Sequence, residues 1–135
     1  MDCPFCAIVA GEEDALVLDE REDTLAVAPL AAISEGHLLV IPKAHHPTIV
    51  EIPEETLSAV VAHAKSIVER LRENGFEGAN LLHASGHAAQ QSVDHFHVHV
   101  APRRAGDGLD LWPDSEYEAD SREECYAAVR EVLAE

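Results

Sequence analysis

The stretch DHFHVHVAPR, residues 94–103, sets His95, His97 and His99 at every second position. In an extended strand alternate side chains share a face, with like-facing positions about 6.5–7 Å apart. Phe96, Val98 and Val100 then fill the opposite face, and Pro102 closes the run. Imidazoles buried without partners would cost free energy, so three on one face imply neighbours or a substrate. The spacing alone permits metal ligation, catalysis or a plain polar stripe.

Working outward, GANLLHA (78–84) reads as a strand and SGHAAQQS (85–92) as a small-residue polar loop. HLLVIP (37–42) is a continuous apolar run of strand length, ended by Pro42. ALVLDE and TLAVAP read as two short strands joined at REDT. From Pro53 the period changes. Leu57, Val60, Val61, Ala64, Ile67, Val68 and Leu71 recur at helical spacing, with charged residues opposite. Pro53 suits the first turn of that helix and Gly75 its stop. His63 lies off the apolar stripe and reads as solvated. Ser121 followed by Glu124 is a capping-box signature for a last helix. Its stripe is Cys125, Ala128, Val129 and Val132, with Cys125 read as a buried small hydrophobe. The fold class expected is α+β: a mostly antiparallel sheet with one long helix and a short terminal one.

At 135 residues the chain is expected to form one domain, residues 1–135, with a core of useful size. No run reaches the roughly 20 apolar residues of a membrane helix, and no signal peptide is recognisable, so the expected location is cytoplasmic. Three cysteines, two of them in CPFC, do not make a secreted disulfide framework. The 26 acids against 9 bases give a formal charge of −17. Such a surface repels nucleic acid and anionic membranes, so neither is expected as a partner. It also suits a salt-rich, halophilic cytoplasm, unless this is simply an acidic protein. Between Thr24 and Val50 the sole acid is Glu35, and between Gly78 and Gly106 it is Asp94. Either these windows are buried strands, or they meet around an anionic ligand, or both.

The motifs carry a resemblance. HFHVHVA resembles the His-x-His-x-His pattern, followed by two hydrophobic residues, of the histidine triad (HIT) superfamily of nucleotide hydrolases and transferases. CPFCAIVAGE is similar to that family's N-terminal segment, GHLLVIPKAH to its central strand and loop, and AAQQSVDHFHVHVAPR to its catalytic loop and strand. The similarity runs from Cys3 to about Pro113, with the motifs in order. It implies an antiparallel sheet of about five strands, a long helix, a short C-terminal helix, and pairing into a homodimer.

The resemblance also implies roles. The middle histidine, His97, would be the nucleophile, attacking the α-phosphorus of a purine nucleotide to give a nucleotidyl-histidine that water then hydrolyses. A neutral imidazole suits this near pH 7 because it needs no deprotonating base. His99 would contact the phosphate, and His37 matches a fourth active-site histidine. Gln91 and Ser92 match polar residues that bind phosphate or leaving group. Histidine rather than glutamine at the third triad position points away from the uridylyltransferase branch. The zinc-containing, Hint-like branch implies a structural Zn²⁺ held by Cys3, Cys6, His45 and His95, with His46 the alternative to His45. Two positions depart from the pattern: Pro29 replaces an acid that binds ribose hydroxyls, and Ala84 replaces an asparagine, Asn80 being close but not matching.

The expected activity is hydrolysis of a nucleoside phosphoramidate or a dinucleoside polyphosphate. Against it stand a non-catalytic nucleotide-binding scaffold, a glutaredoxin-like redox use of CPFC, and an open zinc hydrolase using all three triad histidines. The redox motif needs a strand ahead of it, and Cys3 has two residues before it. The zinc hydrolase needs a carboxylate base, and alternation turns Asp94 to the wrong face.

Overall fold

Five antiparallel strands, three α-helices and one short 3-10 helix (His87–Ala89) make up the computed structural model, which describes residues 3–135. They run α1 (Pro4–Val9), β1 (Val17–Glu20), β2 (Thr24–Val27), β3 (Leu38–Pro42), α2 (Glu54–Glu73), β4 (Gly78–Leu82), β5 (Val98–Arg103) and α3 (Arg122–Leu133). The sheet order is β1-β2-β3-β5-β4. The expected α+β architecture is therefore present, and β5, which ends the histidine run, lies between β3 and β4.

Alternation divides the sheet into two faces. Ala26, Leu38, Val40, Val98 and Val100 pack against Val60, Ala64 and Ile67 of α2, with Phe96 beside them. Leu25, Val27, Leu39 and Ile41 face the other way and pack on Cys3 and Phe5. His99 lies opposite Leu39 in the β3–β5 register, on this second face. One face is thus covered by the long helix, and the other is left for α1 and the histidines.

The helix boundaries follow their chemistry. Pro53 is the N-cap of α2, one residue outside the helix. At the other end the Phe76 N–H reaches the Leu71 carbonyl, a bond made by an extra residue in the left-handed region, and Gly75 supplies it at φ 95°. Arg104 lies over the Phe76 ring, 3.9 Å from its centroid. In α3 the Ser121 hydroxyl caps the Glu124 N–H at 3.1 Å.

Four expectations need correction. β5 starts at Val98, so His95 and His97 precede the strand instead of lying within it. Their alternation persists because the Phe96 N–H is held by the His46 carbonyl at 2.7 Å, outside the sheet. His63 is not solvated: it is fully buried, with Nδ1 2.8 Å from the Thr24 hydroxyl and Nε2 2.8 Å from Asp19. Both ring nitrogens find partners on β1 and β2, which makes burial of the imidazole affordable. Cys125 is half-buried, because α3 buries none of its residues. CPFCAIV forms the short helix α1, which no periodicity announced; Pro4 opens it and Cys3 Sγ accepts the Cys6 N–H at 3.3 Å.

Candidate active site and metal centre

The alternating histidines part company at the level of hydrogen bonds. His95 is fully buried, and its Nε2 donates to the Pro42 carbonyl at 2.8 Å. A carbonyl can only accept, so that nitrogen carries the proton and Nδ1 presents a lone pair. Nδ1 faces Cys3 Sγ at 3.4 Å and Cys6 Sγ at 3.6 Å, while His45 Nδ1 lies 3.2 Å from Cys6 Sγ. The four ligand atoms all fall within 4.8 Å of one another. Zinc–sulfur and zinc–nitrogen bonds of about 2.3 and 2.0 Å put tetrahedral S···N edges at roughly 3.5 Å. These residues fit that geometry, and the Pro42 contact is the outer hydrogen bond that orients a ligating imidazole. His46 is not in the cluster; its carbonyl is spent on Phe96.

His97 faces a different surrounding. Its Nδ1 donates to the His95 carbonyl at 2.8 Å, leaving Nε2 unprotonated. Phe5 packs edge-on against the ring, centroids 5.1 Å apart, and burial lowers the imidazole's pKa below its ordinary value. His99 and His37 form a pair, His37 Nε2 to His99 Nδ1 at 2.9 Å. The Ile33 N–H donates to His37 Nδ1 at 3.1 Å, so the proton of a neutral His37 lies on Nε2 and points at His99. His99 Nδ1 must accept it, which leaves His99 Nε2–H as a free donor. Burial, then the neighbouring His97, His37 and His83, pushes His99 down to about 4, and burial alone lowers His37. The group holds one lone pair and one N–H, all uncharged at neutral pH.

His97, His99 and Ser92 line a cavity of about 870 Å³ whose walls include Phe5, Leu16 and Val27. Pro29 also lines it, and among the described residues its wall carries the carboxylates of Glu13 and Asp14 and no lysine or arginine. Gln91 is absent from the lining. Its amide nitrogen donates to the carbonyls of Pro47 at 2.6 Å and Val93 at 2.9 Å, and its oxygen accepts the Gly86 N–H at 2.7 Å. Both amide N–H groups are taken by protein carbonyls, so Gln91 ties the 45–47 loop to the Gly86 turn. Asn80 is held by Arg103 at 2.9 Å and does not stand in for Ala84. Asp94 lies 3.0 Å from His87, and both side chains are exposed. Sequence reading missed His83, whose Nδ1 lies 2.9 Å from the His97 carbonyl. Its signal was a histidine directly after the strand residues Leu81 and Leu82.

Comparison with known proteins agrees with this geometry. The HIT domain family matches residues 10–106. An uncharacterised HIT-like protein of Methanocaldococcus jannaschii is 40% identical over 106 residues, covering 78% of this chain and 82% of that protein. An adenosine 5'-monophosphoramidase of Candida albicans is 33% identical over 139 residues, covering 98% of this chain and 91% of its own length. A crystal structure of a zinc-bound histidine triad family protein from Mycobacterium smegmatis superposes with a TM-score of 0.79 at 36% identity, covering 99% of this chain and 97% of the other. Fold, motif order and these likenesses agree, and the chain belongs to the histidine triad (HIT) family.

Proposed function

We propose that this chain is a nucleotide hydrolase working through a nucleotidyl-histidine on His97. The observation that carries the reading is the His97 tautomer: Nδ1–H is tied to the His95 carbonyl, so the lone pair sits on Nε2 of a ring lining the cavity. In the first step a bond forms between Nε2 and the α-phosphorus while the bond to the leaving group breaks, the leaving group gaining a proton from solvent. In the second, water attacks the phosphorus, nucleoside monophosphate leaves, and the imidazole is restored. His99 Nε2–H, oriented by His37, is the donor placed to stabilise negative charge on the phosphoryl oxygens. Ser92 adds a hydroxyl from the same wall. The apolar walls suit a flat purine base.

Between the two leaving-group classes, the lining favours a phosphoramidate. A polyphosphate chain brings several negative charges, and the cavity answers with Glu13, Asp14 and no cationic side chain. A phosphoramidate leaves as an amine. The adenosine 5'-monophosphoramidases of Candida albicans and Saccharomyces cerevisiae among its relatives support the same choice. Incubation with AMP phosphoramidate and with diadenosine polyphosphates tests it: kcat/KM at least about tenfold higher on the former is expected, and equal or reversed values refute it.

Cys3, Cys6, His45 and His95 would hold a structural zinc, which fixes α1 and the 43–47 loop beside the histidines. The zinc hydrolase with an open triad site loses support, because His95 turns to the thiols while His97 and His99 turn to the cavity. The remaining expectations join this reading as proposals: residues 1–135 as one domain, a cytoplasmic location, and a homodimer. No helix among the described residues is long and apolar enough to cross a membrane.

A further inference from the structure

We infer that His83 is a positioning residue for His97, acting through the hydrogen bond between its ring and the His97 main-chain carbonyl. The inference rests on the reading of His97 as nucleophile.

The need for such a residue arises where the sheet ends. The β4–β5 ladder stops at the pair Leu82↔His99, and β5 itself begins at Val98. Continued two residues further out, past His83↔Val98, the register would set His97 opposite Ala84. The two chains separate before that, yet His97 is only 4% exposed. A buried carbonyl left without a donor costs free energy. His83 supplies that donor from its side chain, Nδ1 lying 2.9 Å from the His97 oxygen.

Because the carbonyl accepts, His83 carries its proton on Nδ1, and Nε2 accepts from the Ser85 hydroxyl. The Ser85 oxygen in turn accepts the Ile49 N–H at 2.9 Å. The His83 ring thus links the main chain of the nucleophile to the 45–52 segment, which begins at His45. His97 is then fixed twice: its ring through the His95 carbonyl and its backbone through His83. Misplacing a reacting group by about 1 Å can cost roughly a hundredfold in rate. A lost tether of this kind therefore acts on turnover more than on binding.

The rival is a packing role, since the His83 ring also lies against Phe96 with centroids 4.3 Å apart. Two substitutions separate them. His83→Phe keeps an aromatic ring and removes the donor. His83→Asn removes the ring and places an amide N–H the same number of bonds from the backbone as Nδ1. Steady-state kinetics on AMP phosphoramidate, with zinc content and urea midpoints measured on every variant, gives the readout. His83→Phe should lower kcat about ten- to a hundredfold with KM within about threefold, and His83→Asn should recover kcat to within about threefold of wild type. Wild-type kcat in His83→Phe, or a loss in His83→Asn as deep as in His83→Phe, overturns the inference. A measurement on unaltered protein guards against a variant that fails to fold: ¹⁵N-histidine NMR should show His83 protonated on Nδ1, and an Nε2-protonated ring refutes the tether. His97→Ala run alongside keeps the two claims apart. If it still turns over, the nucleophile reading fails and this inference with it; if only His83→Phe is silent, this inference falls alone.

Discussion

Burial holds His99 uncharged at the cavity where the proposed nucleotide would bind. Its pKa of about 4, set mainly by burial, lies below the ordinary 6.5 of histidine. The folded chain therefore binds fewer protons at this residue than the unfolded chain between about pH 6.5 and 4, and stability falls as pH drops through that window. Urea denaturation from pH 7 to 4.5 should show a steeper loss for wild type than for His99→Asn; parallel losses would contradict the assignment. His63 illustrates the same economy away from the cavity. Its ring joins α2 to Thr24 and Asp19, at 2.8 Å each, with no exposure. His63→Leu should cost about 2–3 kcal/mol, because the buried Thr24 hydroxyl loses its acceptor. Combining it with Thr24→Val should cost less than the two changes separately. Additive losses in a double-mutant cycle would show that the contact is not energetically coupled.

At the scale of elements, what the sequence disclosed is what periodicity can carry. The period of two marked β5, a continuous apolar run marked β3, the period of 3.6 marked α2, and Ser121 with Glu124 marked the start of α3. Helix α1 is six residues long, too short for a stripe, and its start is set by one proline and one sulfur acceptor. Candidate site residues were legible through residue type and motif order, which brought Cys3, Cys6, His45 and His95 together and set His97 beside His99. What local pattern could not carry was direction. That the Gln91 amide is consumed by Pro47, Val93 and Gly86, and that His63 turns inward, are tertiary facts. The α1 assignment yields its own prediction. Replacing Cys3 and Cys6 together by Ser should abolish zinc, expected at about one per chain, and lower stability by several kcal/mol, since metal-binding energy becomes folding energy. Serine remains a good N-cap, so the loss would report the metal and not the cap. Elemental analysis finding no zinc in carefully purified wild type, with freely titratable thiols, would contradict it.

The whole molecule carries a charge of −17, so its 26 acids far outnumber the bases that could pair with them. Self-repulsion of that size opposes compaction and is screened as the Debye length falls from about 10 Å at 0.1 M salt to about 3 Å at 1 M. The melting temperature should therefore rise with added KCl over that range, by on the order of 5 °C or more; a flat or falling profile would remove the case for a protein suited to a salt-rich cytoplasm. The same screening should reveal the proposed homodimer. β4 is an edge strand with Leu81 half-exposed, and Val61 of α2 is likewise open. Light scattering in high salt should give twice the chain mass, and a single-chain mass would count against pairing.

In the proposed reaction His97 takes the nucleotide covalently. The direct measurement is a rapid acid-free quench of the protein with AMP phosphoramidate, followed by peptide mass spectrometry. An acid-labile adenylyl adduct is expected on the peptide holding His97, absent in His97→Ala, whose turnover should fall by at least about a thousandfold while zinc and nucleotide binding persist. Hydrolysis that proceeds with no adduct at the shortest quench times would mean that water attacks the phosphorus directly, and would contradict it.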